Sequence, residues 1–181
     1  MGHDRDNAND FEDLAMPLFA SLYSLAQWLT QDRSEAEDLV QETYAKALKG
    51  FGSFQPGTNF RAWMFRILRN TFLTSRTGLK TAMTVPLEDE EVDAQPAAVV
   101  TSETPESILL ARADRDAIAA ALQELPLPFR EIVLLCDVEE MSYREIAEAL
   151  TIPIGTVMSR LARARKAMRQ SLAAKVQGAY R

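Results

Sequence analysis

The residues best suited to chemistry in this chain are cations on a helix. Arg160, Arg163, Arg165, Lys166 and Arg169 crowd the segment Ser142–Arg169, SYREIAEALTIPIGTVMSRLARARKAMR. Guanidinium groups bind phosphates and guanine edges, so the chemistry implied is recognition of a polyanion rather than bond breaking. A second set lies in Asn59–Lys80, where Phe60, Trp63, Phe65 and Phe72 interleave with Arg61, Arg66, Arg69 and Arg76. Cations track a phosphate backbone, and aromatic faces stack on bases that have left a duplex. The aromatic positions serve a core equally well, so Asn59, Arg61, Arg66 and Asn70 are the better contact candidates. A third set is acidic. Asp38, Gln41, Glu42 and Ala45 fall at i, i+3, i+4 and i+7 of a helical stretch and share one face, which suits either solvent or a basic partner.

These residues need elements to hold them. Ser142 and Glu145 have the S-x-x-E spacing of a capping box, and Ile146, Ala147 and Leu150 give the helix they start an apolar face. Thr151-Ile152-Pro153 breaks it, because proline lacks an N–H and disfavours helix in the residue before it. A second helix restarts near Ile154 and carries Val157, Leu161, Ala164 and Met168 at helical spacing. Two helices around a tight turn, the second rich in arginine, form a helix-turn-helix signature, in which the second helix enters the major groove of DNA.

Further upstream, Phe11, Leu14, Leu18, Leu22, Leu25, Ala26 and Leu29 mark a helix, with Pro17 beginning or kinking it. Ser34 is expected to cap the next helix with Glu37 as its box partner. Leu39, Val40, Thr43, Tyr44, Ala47 and Leu48 form its buried side, and Gly50 ends it. Phe51-Gly-Ser-Phe-Gln-Pro-Gly reads as a loop, and Thr58 or Asn59 caps a third helix from Phe60 to about Ser75. Residues 78–103 lack a period and read as an acidic flexible linker. Thr104 then caps a helix with Pro105 at its first position, running to about Leu125. Another helix follows from Phe129 to about Val138. The fold expected is all-α, with two small helical domains, 1–77 and 104–181, joined by the linker 78–103.

Composition sharpens the class. The 181 residues are 47% hydrophobic, enough for a core, and hold only 7 Gly. Net charge is −6, an odd balance for a DNA-binding chain until its distribution is read. Residues 151–181 hold seven basic and no acidic side chains, residues 59–80 five basic and none acidic, and residues 86–106 seven acidic and none basic. Local potential, not the average, governs phosphate contact. One tail histidine (His3), one cysteine expected in the core (Cys136), no phosphate-cradling glycine loop and no cofactor or metal-ligand cluster argue against an enzyme. A single thiol, no signal peptide and no apolar run near the roughly 20 residues that span a bilayer point to a reducing cytoplasm and no membrane insertion.

Taken in order, these motifs resemble the extracytoplasmic-function group of the sigma-70 family of bacterial sigma factors. AEDLVQETYAKAL is similar to the family's polymerase-docking segment, FQPGTNFRAWMFRILRNTF to its promoter-melting and minus-ten segment, and the stretch from Leu125 to Met168 to its minus-thirty-five domain. The resemblance covers about 11–75 and 104–173. It implies that Asp38, Gln41 and Glu42 bind core RNA polymerase, at the beta-prime clamp helices, with the beta subunit as a further contact. It implies that Phe54, Asn59, Arg61, Trp63, Arg66 and Asn70 handle the melted non-template strand, with a base flipped out among them. Thr156, Met158, Ser159, Arg160, Ala162 and Arg163 would meet the minus-thirty-five duplex. Some members carry arginine at the position of Met158 and an aromatic at Ala162, so the promoter sequence does not transfer. An anti-sigma partner is also implied. Two other readings are a sigma-like decoy that sequesters an anti-sigma factor and a stand-alone helix-turn-helix regulator. The decoy reading lacks a receiver domain here, and the regulator leaves the acidic stripe and Trp63 unused.

Overall fold

Residues 10–77 and 105–179 are described by a computed structural model, with side chains described for 10–76 and 115–174. The elements are α1 (Phe19–Thr30), α2 (Arg33–Gly50), α3 (Phe60–Thr77), α4 (Pro105–Glu124), α5 (Leu127–Val133), α6 (Tyr143–Leu150) and α7 (Ile154–Ala179). No strand occurs among the described residues, so the all-α expectation stands. The expected linker 78–103 and the Thr104 cap lie outside the described residues. The chain divides into two compact units: Met1–Leu87 together with Leu135–Ile154, and Glu88–Leu134 together with Gly155–Arg181.

In the first unit, α1, α2, α3 and α6 bury their apolar faces together. Leu22, Leu25, Ala26 and Leu29 of α1, Leu39, Val40 and Ala47 of α2, and Met64, Phe65, Leu68 and Phe72 of α3 are buried. Thr43, at full burial, satisfies its hydroxyl by donating to the Leu39 carbonyl at 2.7 Å. Pro17 lies in a 3-10 turn, Met16–Leu18, that separates the helical residues 10–15 from α1. Two apolar residues expected inside are exposed: Leu14 on the lead-in and Leu48 on α2.

The start of α2 corrects the expected cap. Gln31 takes a left-handed conformation (φ 61°) and ends α1, which leaves Asp32 extended. Its carboxylate accepts from the Glu35 N–H at 2.8 Å, so the helix begins two residues before the expected Ser34–Glu37 box, and Glu37 pairs with Arg33 instead. Asp32→Ala should therefore cost about 1 kcal/mol in urea unfolding, whereas Ser34→Ala should stay within about 0.5 kcal/mol. Equal losses would restore Ser34 as the cap.

In the second unit, α4 and α5 bury Ala121, Leu122, Leu125, Ile132, Val133 and Leu134. Arg130 staples the end of α4: its guanidinium donates to the carbonyls of Leu122 (3.0 Å), Gln123 (2.6 Å) and Leu125 (3.1 Å), around the helix end, where carbonyls run out of i+4 donors. Burial lowers the Arg130 pKa from its ordinary value. On α7, Val157, Leu161 and Ala164 are buried, and Ser171 donates to the Glu124 carboxylate. The helix expected from Phe129 starts at Leu127, since Pro128 sits in a first turn, where a missing N–H costs nothing. It gives way at Leu134–Val138 to a π-helical turn. Cys136 sits in that turn and is half-buried, not in the core as expected, at the point where the buried run 131–135 ends and the chain turns toward solvent-exposed Asp137 and Val138.

Candidate nucleic-acid interface

The strand-reading candidates are built around one loop and one helix face of the first unit. Gln55-Pro56-Gly57-Thr58 closes with the Thr58 N–H donating to the Gln55 carbonyl at 3.2 Å, and Gly57 has φ 89°. Proline then glycine at the two central positions is the pattern a type II turn requires, and any side chain at Gly57 would be strained. The turn delivers Asn59 to the start of α3, where its side-chain oxygen accepts from the Ala62 N–H at 2.9 Å. Asn59 is thus the cap, and its acceptor is spent on that role. Only its NH2 group remains to be offered.

Phe54 packs at 5.2 Å, ring centre to ring centre, from both Phe60 and Trp63, and Phe60 lies 5.5 Å from Trp63. These rings are half-buried, whereas Phe65 and Phe72 are core residues. The sequence alone did not separate the two classes; burial does. Phe51 and Phe11 extend the cluster behind Phe54, with Phe11 5.3 Å from Phe51 and 6.3 Å from Tyr44 of α2. A cavity of about 630 Å³ opens over these rings. It brings together Phe54, Asn59, Trp63 and Arg66, and α6 with its following turn supplies the opposite wall through Ala147, Ile152 and Pro153. Arg61 and Asn70 are not in its lining. Asn70 lies exposed one turn beyond Arg66, and Arg61 faces elsewhere.

Two contacts escaped the sequence reading. The Asn59 NH2 donates to Glu145 Oε1 at 2.9 Å. The Arg61 guanidinium donates to the Glu139 carbonyl at 2.5 Å and lies 3.5 Å from that residue's carboxylate, while also sitting 5.7 Å over the Phe65 ring. Glu145 divides its oxygens. Oε2 accepts from the N–H and hydroxyl of Ser142, both at 2.8 Å, completing the expected capping box, and Oε1 takes Asn59. The Asn59 hydrogen bond first, and that from Ser142 next, hold the Glu145 carboxyl below its ordinary pKa, so it is ionised at neutral pH. The capping spacing is visible in the sequence; an oxygen left over for a residue 86 positions away is not.

On α2, Asp38, Gln41, Glu42 and Ala45 are all exposed, opposite the buried face, as the spacing required. Glu42 pairs with Lys46 at 2.7 Å. The exposed Leu48 continues the same face by one turn, giving the polar stripe an apolar end.

In the second unit, the N-terminal part of α7 offers Met158, which is 54% exposed, while Thr156, Ser159, Arg160, Ala162 and Arg163 are half-buried. Among the described residues the Arg160 Nε is buried without a hydrogen-bond partner. The Ser159 hydroxyl donates back to the Thr156 carbonyl at 3.3 Å. Among the described residues no group of acidic, histidine and cysteine side chains is arranged to hold a metal, and no helix is long and apolar enough to cross a membrane.

Comparison with known proteins matches the chain to a family. Residues 17–80 match sigma-70 region 2, and residues 115–168 match sigma-70 region 4. The chain is 38% identical over 155 residues to the ECF RNA polymerase sigma factor SigE of Mycolicibacterium smegmatis, covering 84% of this chain and 57% of that relative's length. It is 35% identical over 145 residues to EcfG of Rhodopseudomonas palustris (80% of this chain, 75% of the relative). To the RNA polymerase sigma-H factor of Pseudomonas aeruginosa it is 30% identical over 171 residues (93% and 89%). Among solved structures, the sigma factor RpoE of Bartonella quintana, in complex with the anti-sigma factor NepR, aligns with a TM-score of 0.67 at 30% identity, over 91% of this chain and 97% of that one. With two sigma regions in order and relatives matched along most of their length, the chain belongs to the sigma-70 family and is an RNA polymerase sigma factor of the extracytoplasmic-function group.

Proposed function

We propose that the chain acts in the cytoplasm without catalysis of its own, bringing core polymerase to a promoter and stabilising the opened strands. Residues 1–77 and 104–181 serve as its two working modules, and 78–103 as the tether. Asp38, Gln41 and Glu42 dock on the beta-prime clamp helices, with the beta subunit as a further contact. Phe54, Asn59, Arg61, Trp63, Arg66 and Asn70 take the melted minus-ten strand, and Thr156, Met158, Ser159, Arg160, Ala162 and Arg163 meet the minus-thirty-five duplex. An anti-sigma factor is the expected restraint, since the similar Bartonella quintana protein was solved with one.

The observation that carries this reading is the cavity over Phe54 and Trp63, flanked by Arg66 and within one helical turn of Asn70. Aromatic faces and a cation beside a space large enough for a nucleotide suit an extruded base, whose unstacking costs a few kcal/mol. Reconstituted run-off transcription with core polymerase tests the whole reading; no promoter-dependent transcript from a genomic fragment pool would end it. Asn70→Ala should lower open-complex formation about tenfold, the worth of one good base contact, and leave polymerase binding unchanged. Loss of polymerase binding in that variant would make Asn70 a structural residue.

A further inference from the structure

Beside its cations, the end of α7 proposed to enter the groove carries an apolar ridge. Gly155, Met158 and Ala162 share one side of the helix at i, i+3 and i+7, turned away from buried Val157, Leu161 and Ala164. Met158 is 54% exposed, so most of its thioether chain is not spent on the core. The polar groups next to it are drawn back toward the chain. The Ser159 hydroxyl donates to the Thr156 carbonyl at 3.3 Å, and the Arg160 Nε is buried. A Cβ at Gly155 would meet nothing within 4 Å among the described residues, so packing within the chain does not demand glycine there. A bare backbone at a helix start does suit the close approach of a ligand. Further along the same side the helix turns cationic, with Lys166 and Arg169 exposed, and residues 151–181 hold seven basic and no acidic side chains. That balance points the ridge at a polyanion, and duplex DNA is the polyanion whose major groove admits a helix.

We infer that Met158 is a specificity-determining residue that reads the 5-methyl group of a thymine in the minus-thirty-five duplex, with Ala162 extending the contact. This inference rests on the duplex-reading role proposed for α7. Among the bases, only thymine presents an apolar group in the major groove. A thioether has no hydrogen to donate, so Met158 cannot satisfy the two acceptors of a guanine edge. It is also unbranched, and its rotatable bonds let it settle over a methyl group without precise placement. Removing one methyl from water is worth about fourfold in affinity, a smaller preference than a bidentate side chain gives. The base pair beneath Met158 is therefore chosen by shape and methylation pattern, while the cations around it fix register through phosphates without reading sequence.

The test uses the full chain assembled with core polymerase. A promoter recovered by run-off transcription is randomised across its minus-thirty-five element, and the holoenzyme selects duplexes from that pool. Each thymine of the selected element is then replaced in turn by deoxyuridine, which pairs identically but lacks the methyl, and binding is read by fluorescence anisotropy. We expect at least one thymine whose replacement weakens wild-type binding about fourfold. In Met158→Ala that loss should vanish, and likewise in Met158→Gln, which keeps the length of the side chain but ends it in an amide. Met158→Leu keeps an apolar tip and should retain the loss. Met158 is exposed, so none of these variants should disturb the fold. Deoxyuridine tolerated at every thymine by the wild type overturns the methyl contact, and an equal loss in wild type and Met158→Ala overturns the role of Met158. A different pattern marks failure of the underlying reading: if selection returns no minus-thirty-five preference and Lys166→Ala with Arg169→Ala leaves binding unchanged, the duplex-reading role of α7 falls, and that of Met158 with it.

Discussion

Asp38→Lys is expected to abolish promoter-directed transcription while moving thermal unfolding by no more than about 2 °C. Asp38 is exposed on α2 and forms no ion pair among the described residues, so its loss leaves the fold nearly untouched. Surface substitutions of this kind usually stay within about 0.5 kcal/mol. In a docked complex the outcome differs, because a like charge set against a basic partner costs several kcal/mol, or upwards of a hundredfold in affinity. Glu42 is a poorer choice for the same test. It pairs with Lys46 one turn away, so Glu42→Lys would place two ammonium groups together and damage α2 by itself. Binding of core polymerase, measured by anisotropy of labelled sigma, should fall in step with transcription. If Asp38→Lys transcribes normally, docking belongs elsewhere, and the exposed Met16 and Phe19 beside α1 become the next surface to test.

How much of this was legible before the fold was known depends on the range of the interaction. Short-range chemistry was readable. The Ser142–Glu145 box, the break at Pro153 and the exposed stripe of α2 all follow from residues within two helical turns of one another. The misplaced cap on α2 was also local, but it hinged on Gln31 adopting a left-handed conformation, which a glutamine rarely does and its side chain does not announce. The half-burial of Cys136 is not legible either, because an apolar run does not announce the π-helical turn in which it ends. The contacts of Asn59 and Arg61 lie beyond such reading. They join positions 86 and 78 residues apart, and both Glu139 and Glu145 have unremarkable local explanations as surface or capping carboxylates. The sequence marks the polar groups of α3 as candidates for contact with a strand. Which partner holds them is a property of packing.

The second large effect concerns Trp63. Trp63→Ala should reduce open-complex formation by one to two orders of magnitude, since stacking of a base on an aromatic face is worth about 1–3 kcal/mol. The difficulty is that Trp63 also supports its neighbours. Its ring lies 5.2 Å from Phe54 and 5.5 Å from Phe60, and a loss of loop order would lower activity without any base contact. Two further variants separate these causes. Trp63→Phe keeps an aromatic face and should recover most of the open complex, whereas Trp63→Leu fills the space without a stacking face and should not. Phe72→Ala marks the structural extreme: this ring is buried in the core and its removal should cost about 3–5 kcal/mol in denaturant unfolding, against a much smaller loss for half-buried Trp63. Full activity in Trp63→Leu would show that the ring shapes the loop and does not touch the strand. Reading of the opened strand would then rest on Arg66 and Asn70, the polar groups on the same face of α3.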